Sequence, residues 1–264
     1  MNIVPAKNGW LWLVQGLVLF RRSPSRWLLI VLTYWMLIAL LNQVPVLGAP
    51  VATVLLPAFS VSFMVMCDEL EHGRPIGVAT LFAGFRRQLP QLLTLGGLYL
   101  LAIVVVLGLS ALADSGSLWN WVIRGKPPGA QAVRDGSLSS ALLLAGALGT
   151  PVMMAFWFAP VLAAWQDQGA FKALFFSLFA VGRNWRAFLL YGAALMLVGL
   201  GISTLIGVIG LLATAKIVSD NALRAGAMLI SIAMLPMIFG SFYAGYRDLF
   251  PADPREAESQ LPVN

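Results

Sequence analysis

The densest group of chemically reactive side chains in this sequence is the run Asp68-Glu69-Leu70-Glu71-His72, which contains the only histidine. Carboxylates and imidazole bind metals, but a divalent catalytic site usually takes three protein ligands from separate elements. A metal-dependent membrane enzyme would therefore need side chains from three distant segments to converge, namely Asp68, His72, Asp167 and Asp248. We expect instead a solvated acidic loop that faces neighbouring arginines. No metal site, no cofactor and no enzyme activity are predicted.

Nucleophilic catalysis and proton relay have little support elsewhere in the chain. A serine nucleophile needs an adjacent base, and a proton-coupled transporter usually buries a carboxylate or histidine within its spans. No such group lies inside the apolar stretches described next. We therefore expect their serines to bond backbone groups or to help helices pack. These are Ser60, Ser62, Ser110, Ser139, Ser140, Ser203, Ser231 and Ser241.

The elements that must position these side chains are five stretches without a charged residue, each 22 to 41 residues long. A charge at the centre of a membrane helix costs about 2.5–3.5 kcal/mol, and a spanning helix needs roughly 20 apolar residues. The longest stretch, 27–67, is divided by Asn42-Gln43-Val44-Pro45, because proline and the polar pair disfavour one uninterrupted helix. The sequence therefore predicts an all-α, polytopic transmembrane helical bundle with six spans, at 27–43, 48–67, 90–113, 138–164, 187–214 and 225–247. The second span, with Pro50 and Pro57, would also suit a re-entrant segment.

The distribution of positive charge indicates the orientation of the chain. With the N-terminus in the cytoplasm, twelve of the 17 lysines and arginines lie on the cytoplasmic side of the six spans, and five lie outside. This excess is the positive-inside bias, so we predict that both termini are cytoplasmic. The net charge of +6 then requires no nucleic acid as a partner.

A short amphipathic segment, too short to cross a membrane, precedes each odd-numbered span. Before the fifth span the apolar stripe consists of Phe171, Leu174, Phe175, Leu178 and Phe179, with Lys172, Ser177 and Arg183 off that face. Before the third span the stripe consists of Val78, Leu81, Phe82, Phe85 and Leu89, and before the first span lies the segment Trp10–Phe20. Helical spacing in such short segments predicts three interfacial helices at the inner membrane surface.

The three segments end in similar basic sequences. Two of them read Phe20-Arg21-Arg22-Ser23-Pro24 and Phe85-Arg86-Arg87-Gln88-Leu89-Pro90, whereas Gly182-Arg183-Asn184-Trp185-Arg186 lacks the proline. Proline in a first turn is compatible with helix initiation, and arginine at this depth reaches lipid phosphates. The candidate residues for binding anionic lipid headgroups are therefore Arg21, Arg22, Arg86, Arg87 and Arg183.

Internal prolines add to this periodicity, because the second, fourth and sixth spans contain them and the others do not. We predict a threefold internal repeat with units at about 7–67, 77–164 and 170–247, inside a single integral membrane domain that covers residues 1–250. The alternative is coincidence among leucine-rich segments. The polar tail 251–264 is expected to be a disordered cytoplasmic segment.

Small residues at four-residue spacing indicate close helix contacts. Gly199, Ser203 and Gly207 recur in the fifth span, and Ser241 and Gly245 recur in the sixth. Such spacing lets two helix backbones approach each other. We expect these residues to join helices of the same chain, with a dimer contact as the alternative.

Several short motifs resemble those of an uncharacterised proteobacterial family of six-helix inner-membrane proteins. The resemblance is carried by Val4-Pro5-Ala6, Gly9-Trp10, Leu19-Phe20-Arg21-Arg22-Ser23-Pro24, Trp27 and Leu81-Phe82-Ala83-Gly84-Phe85-Arg86, and it covers most of residues 4–250. It implies a multi-pass protein of the bacterial inner (cytoplasmic) membrane. The arrangement of interfacial helix plus helix pair also looks like a membrane domain that precedes the catalytic part of some glycerophosphodiester phosphodiesterases. That catalytic part is absent from this chain, so the resemblance implies no activity.

Three functions of different classes follow. The leading hypothesis is an integral inner-membrane protein without catalytic chemistry, which engages anionic lipid headgroups or a membrane protein partner through its interfacial helices. The alternative is a passive transporter or channel for an uncharged or amphipathic compound, with a cleft lined by Ser60, Ser62, Thr150 or Ser231. The metal-dependent membrane enzyme is the third.

Overall fold

The computed structural model describes residues 1–214 and 219–251, and in that part the chain forms eleven α-helices and one 3₁₀ helix. The first half contains α1 (Asn8–Arg22), α2 (Pro24–Asn42), α3 (Gly48–Glu71), the 3₁₀ helix (Val78–Arg86) and α4 (Leu89–Asp114). The second half contains α5 (Ser117–Arg124), α6 (Ala130–Arg134), α7 (Ser137–Phe156), α8 (Ala159–Trp165), α9 (Ala170–Arg183), α10 (Trp185–Thr214) and α11 (Asp220–Leu249). Residues 252–264, for which a disordered tail is predicted, lie outside the described residues.

Six helical segments of the described chain are long and apolar enough to cross a membrane, which confirms the predicted all-α polytopic bundle. They are Pro24–Asn42, Gly48–Glu71, Leu89–Asp114, Ser137–Trp165, Trp185–Leu211 and Met228–Leu249. The second of them, α3, is one continuous helix of 24 residues despite Pro57. At 1.5 Å per residue it is about 36 Å long, enough for a full crossing of the roughly 30 Å hydrocarbon core. The structure therefore supports the spanning alternative for this segment rather than the re-entrant one.

The fourth span, predicted at 138–164, is confirmed as Ser137–Trp165, and it is interrupted at residues 157 and 158, between α7 and α8. Pro160 lies in the first turn of α8 instead of inside a continuous helix. Because proline has no backbone N–H, residue 160 cannot donate the hydrogen bond that would continue α7 into α8. The side chain of Ser177 occupies the break. Its hydroxyl accepts a hydrogen bond from the Phe158 N–H at 2.9 Å and donates one to the Met154 carbonyl at 2.8 Å. Both backbone groups are therefore satisfied in the interior.

Replacing Ser177 with alanine is expected to destabilise the protein by about 1–3 kcal/mol, the cost of leaving buried polar groups unsatisfied. Ser177 is fully buried, so water has no access to the two backbone groups. Thermal unfolding in detergent, followed by tryptophan fluorescence, measures the effect. Ser139→Ala on the exposed side of α7 is the matched control, and an equal shift in both variants would contradict the role of Ser177.

Contacts between residues divide the chain into two compact units. The first unit consists of Met1–Leu40, Phe59–Arg86 and the described residues from Ala180 onward. Its core contains a stack of three aromatic rings, in which Phe63 lies between Trp27 (centroids 6.3 Å apart, 17° between planes) and Phe239 (4.5 Å, 20°). Whether the three sequence units are related by symmetry stays a prediction.

Glycines allow α1 to approach α10 and α11 at backbone distance. A Cβ atom at Gly16 would meet the Met237 carbonyl oxygen and lie 2.8 Å from the Ser241 nitrogen. A Cβ atom at Gly9 would lie 2.8 Å from the Tyr191 nitrogen. Because both obstacles are main-chain atoms, only glycine fits at these two crossings.

The predicted small-residue contacts have different outcomes in α11 and in α10. Ser241 is buried and its hydroxyl lies 2.7 Å from the Tyr191 hydroxyl, and a Cβ atom at Gly245 would contact the Trp12 ring at 3.5 Å. The α11 residues therefore join helices of one chain, as predicted. For α10 the expectation stays a prediction, since Cβ atoms at Gly199 and Gly207 would meet no described atom within 4 Å.

The second unit consists of Leu41–Ala58 and Arg87–Phe179. Leu107, Leu118 and Ala141 form a buried cluster against which Trp119 packs. The loop predicted between the third and fourth spans contains two short helices, α5 and α6. The first backbone N–H groups of a helix have no partner within the helix. At the start of α5 the Asp114 carboxylate accepts hydrogen bonds from the N–H groups of Gly116 (2.9 Å) and Leu118 (2.6 Å).

The segment before the third span forms a 3₁₀ helix, whereas the spacing of its stripe is that of an α-helix. With three residues per turn, Leu81 and Gly84 lie on one face, and both are buried. The Gly84 N–H donates a hydrogen bond to the buried Ser62 hydroxyl at 2.9 Å. This contact with α3 favours the tighter turn, because it fixes a backbone donor near the end of the segment.

Candidate functional site

The acidic run lies in the last turns of α3 and just beyond it, where Arg74 folds back over it. The Arg74 guanidinium donates hydrogen bonds to the carboxylates of Glu69 and of Asp68, the latter at 3.1 Å. The hydrogen bond to Glu69 is the main cause of a raised pKa for Arg74. The acidic run therefore pairs with an arginine, but with Arg74 of the same segment rather than with the expected Arg86, Arg87 or Arg183.

Two side chains of α11 contact the same carboxylates. The Tyr243 hydroxyl lies 2.6 Å from Glu71 Oε2 and 3.1 Å from Asp68 Oδ1, so it shares its one proton between them. Arg247, one helical turn later, forms an ion pair with the other oxygen of Glu71. Its guanidinium also lies 5.5 Å from the centre of the Tyr243 ring. Both oxygens of Glu71 therefore have partners from α11.

Arg22 reaches the same place from the end of α1. Its Nη1 donates hydrogen bonds to the backbone carbonyls of Leu70 (2.7 Å) and Glu71 (3.0 Å). The last carbonyls of a helix lack internal partners and carry partial negative charge, so Arg22 caps α3. The cap holds the guanidinium in place but supplies no carboxylate to neutralise it.

A pocket of about 120 Å³ lies among these groups, and all of its lining belongs to the first unit. Its apolar wall consists of Val18, Leu19 and Ala244, and its polar wall consists of Gln15, Arg22, Glu71, Tyr243 and Arg247. A single water needs only about 10–15 Å³ of such volume. The pocket therefore has room for a group of several heavy atoms.

The four candidate metal ligands do not form a metal-binding group. Within the described chain, no three His, Cys, Asp or Glu side chains lie close enough to share an ion. His72 contacts Asp68 one helical turn away, with Nδ1 3.4 Å from Oδ1. Asp167 accepts a hydrogen bond from Gln88. Asp248 accepts hydrogen bonds from Trp12 Nε1 at 2.7 Å and Asn8 Nδ2 at 2.8 Å.

Two of the four hydroxyls considered for a transport path have local hydrogen-bond partners. Ser62 accepts the Gly84 hydrogen bond described above, and Thr150 donates one to the Gly146 carbonyl of its own helix at 2.7 Å. Ser60 is half-buried on α3. The side chain of Ser231 lies outside the described residues. Ser62 and Thr150 thus have structural roles in hydrogen bonding.

Four of the five predicted headgroup arginines have exposed side chains and no hydrogen bond or ion pair to the described part of the chain. They are Arg21, Arg86, Arg87 and Arg183. Arg22 differs, since it caps α3. Lipid binding by all five stays a prediction.

Each short helix before a span exposes large apolar side chains next to its basic end. On α9 these are Phe171 (72% exposed), Phe175 (55%) and Phe179 (48%), four residues apart. On α1 the residues Trp10, Val14 and Val18 have the same spacing, and on the 3₁₀ helix they are Val78 and Phe82. In α9 the buried face consists of small residues, Ala170, Ala173 and Ser177. Ser177 thus lies off the phenylalanine stripe, as predicted, and on the side of α9 that is buried.

Sequence reasoning missed the structural role of three groups that hold the first unit together, of which Asp248 was considered only as a metal ligand. Asn184 is buried, accepts a hydrogen bond from the Val4 N–H at 2.8 Å and donates one to the Asn2 carbonyl at 3.1 Å. Tyr243 and Asp248 pair with residues on distant segments. The sequence gives one sign of these two residues. Each has a polar group in the last turns of an apolar span, and contact with lipid does not explain a polar group there.

Comparison with known proteins gives one informative relative. The chain is 38% identical over 254 residues to a protein of Burkholderia thailandensis named as a probable inner membrane protein, and the match covers 94% of this chain and 92% of that protein. No protein-family model matches the chain, and no solved structure matches it. The resemblance to a proteobacterial inner-membrane family is thereby confirmed.

Proposed function

This chain belongs to the family of the Burkholderia inner membrane protein, and we propose that it is a non-enzymatic inner-membrane protein that engages anionic lipid headgroups. The proposed mode is attachment of three short helices to the cytoplasmic leaflet. In this mode the six spans lie in the hydrocarbon core of the bilayer, and the short helices bind its headgroups.

The observation that carries the proposal is the pairing of exposed apolar stripes with unpaired arginines on the short helices. A stripe such as Phe171, Phe175 and Phe179 is unfavourable in water, because burying aromatic side chains of this size is strongly favourable. At a membrane surface the same stripe enters the boundary between headgroups and acyl chains. Arginines at the ends of these helices then lie at phosphate depth.

The electrostatic part of this attachment is additive over the arginines. A basic residue near an anionic leaflet contributes about 1 kcal/mol. Exposed arginines also remain sensitive to ionic strength, because the Debye length at 0.15 M salt is about 8 Å. The proposal includes the cytoplasmic position of both termini, since anionic lipid attraction and the positive-inside bias then act on the same side.

Replacing Arg21, Arg22, Arg86, Arg87 and Arg183 by glutamine is expected to weaken the preference for anionic lipid. At about 1 kcal/mol per arginine, the association constant for phosphatidylglycerol relative to phosphatidylcholine should fall at least tenfold at low salt. Quenching of tryptophan fluorescence by brominated lipids in proteoliposomes measures this ratio. The difference between wild type and variant should shrink at about 0.5 M salt.

The control variant replaces Arg124, Lys126 and Arg134, which are exposed residues of the loop predicted to lie outside. This control variant should leave the lipid preference unchanged when the anionic lipid is confined to the leaflet predicted to be cytoplasmic.

Native mass spectrometry in mild detergent supplies a second readout, since it identifies retained lipids and proteins. If the five-arginine variant keeps the wild-type lipid preference, the proposal loses its main support. A retained protein without retained lipid would favour a membrane protein partner instead.

A further inference from the structure

The pocket at the ends of α1, α3 and α11 contains two guanidinium groups that are held in fixed positions. Arg22 is fixed by the carbonyls of Leu70 and Glu71, and Arg247 is fixed by the Glu71 carboxylate and the Tyr243 ring. Each guanidinium has five N–H donors, of which these contacts use only some. Donors in fixed geometry bind oxyanions well, because little side-chain entropy is lost on binding.

The charge of the lining indicates a ligand with one negative charge. Glu71 and Arg247 form an ion pair, whereas Arg22 donates hydrogen bonds to backbone carbonyls and has no carboxylate partner in the described chain, so the lining keeps one net positive charge. The remaining lining contributes no formal charge. A phosphodiester carries one negative charge and presents oxygens for two guanidinium groups, so it complements the pocket.

The rest of the lining distinguishes between phosphodiester headgroups. Glu71 is the one carboxylate of the lining, and both of its oxygens already have partners in Tyr243 and Arg247. The pocket therefore offers no free carboxylate to an ammonium group. Gln15 has a buried Oε1 that accepts no hydrogen bond from the described chain. Its terminal torsion is soft, so the amide can turn toward a hydroxyl group and acquire the missing donor.

We infer that this pocket is a binding site for the phosphoglycerol headgroup of one phosphatidylglycerol molecule. The phosphate lies between Arg22 and Arg247, and a glycerol hydroxyl donates a hydrogen bond to Gln15. Val18, Leu19 and Ala244 contact the carbon atoms next to the phosphate. The site rests on the proposed function in one respect, because it needs the charged ends of α3 and α11 to lie at headgroup depth.

Native mass spectrometry of the full chain from nanodiscs with equal phosphatidylglycerol and phosphatidylethanolamine tests the site. Wild type should retain one phosphatidylglycerol, with a ratio over phosphatidylethanolamine of about fivefold, the effect of the neutral hydrogen bond from the glycerol hydroxyl to Gln15, since both lipids share the phosphate contacts. Gln15→Leu should reduce this ratio toward one, and Arg247→Gln should do so as well, because it leaves one Glu71 oxygen free to bind the ammonium group of phosphatidylethanolamine. Gln131→Leu, at an exposed position of α6, should not change it. Equal retention of both lipids by wild type, or an unchanged ratio in both pocket variants, would overturn the inference.

Two further arms separate lipid binding in the pocket from attraction to the membrane surface and from binding of a soluble phosphate ester. A variant with glutamine at Arg21, Arg86, Arg87 and Arg183 keeps the pocket intact, so it should lose salt-sensitive lipid preference and still retain one phosphatidylglycerol. Failure of the pocket variants alone thus leaves the proposed function standing. Soluble glycerophosphoglycerol, a phosphodiester with one negative charge, is the probe for a non-lipid ligand. Thermal stabilisation by this compound, without any retained phosphatidylglycerol, would assign the pocket to a soluble phosphate ester and overturn the lipid assignment.

Discussion

Replacing Gly16 with leucine is expected to force α1 away from α11 and to lower the unfolding temperature in detergent by about 5–10 °C. The new side chain would collide with the Met237 carbonyl and the Ser241 nitrogen, which are main-chain atoms of a helix and have no rotamer to change. Overpacking costs about 1–3 kcal/mol or more, and each kcal/mol shifts the midpoint by about 2–4 °C at this chain length.

The matched control for this substitution is Gly199→Leu. Gly199 also lies inside a helix, but a Cβ atom there meets no described atom within 4 Å. Both substitutions gain the same helix propensity, roughly 1 kcal/mol relative to glycine. Gly199→Leu should therefore keep or raise the unfolding temperature, and equal shifts in both variants would contradict the close crossing of α1 and α11.

Replacing Asp248 with leucine is the second change with a large expected effect, a loss of about 2–3 kcal/mol of stability. The carboxylate accepts hydrogen bonds from Trp12 and Asn8, and Trp12 is only 1% exposed. Without an acceptor, the buried indole N–H loses its partner and cannot reach water. Asp248→Asn keeps one acceptor oxygen and should lose less stability.

A double-mutant cycle with Trp12→Phe separates the hydrogen bond from packing. If the indole donor accounts for the effect, Asp248→Leu should cost about 1 kcal/mol less in the Trp12→Phe background. Urea unfolding in mixed micelles, followed by circular dichroism, gives the four free energies of unfolding. Additive losses would show that Asp248 stabilises the protein without this bond.

The six spans were predictable because lipid imposes a simple physical rule on the sequence. Charged side chains are excluded from the hydrocarbon region, so an absence of charge marks each span within a few residues. Prolines at the starts of α2 and α4 were predictable for a related reason, since the first helical turn needs no internal backbone donor.

The departures from prediction depend on contacts that no local pattern contains. The break between α7 and α8 depends on Ser177, which lies on another helix and replaces the lost backbone hydrogen bonds. The 3₁₀ helix likewise depends on a hydrogen bond to Ser62. For the small residues of α10, spacing alone does not say which helix lies opposite.

Part of the candidate site was visible in the sequence and part was not. The acidic run at the end of α3 was evident from its density of charge. Its partners Tyr243 and Arg247 were not, because they lie 172 and 176 residues from Glu71 and follow no periodic signal. Arg22 was recognised as a basic residue, but its bonds to the α3 carbonyls depend on how α1 packs.

The bond between Trp12 and Asp248 has a consequence for the synthesis of the protein, since these residues are 236 positions apart. At about 5–20 residues per second, α1 leaves the ribosome roughly 10–50 s before the end of α11 exists. During that interval its glycine face has no permanent partner. The helix made first is thus among the last to reach its final position, and nascent chains arrested before α11 should expose Gly16 to cross-linking while the finished protein protects it.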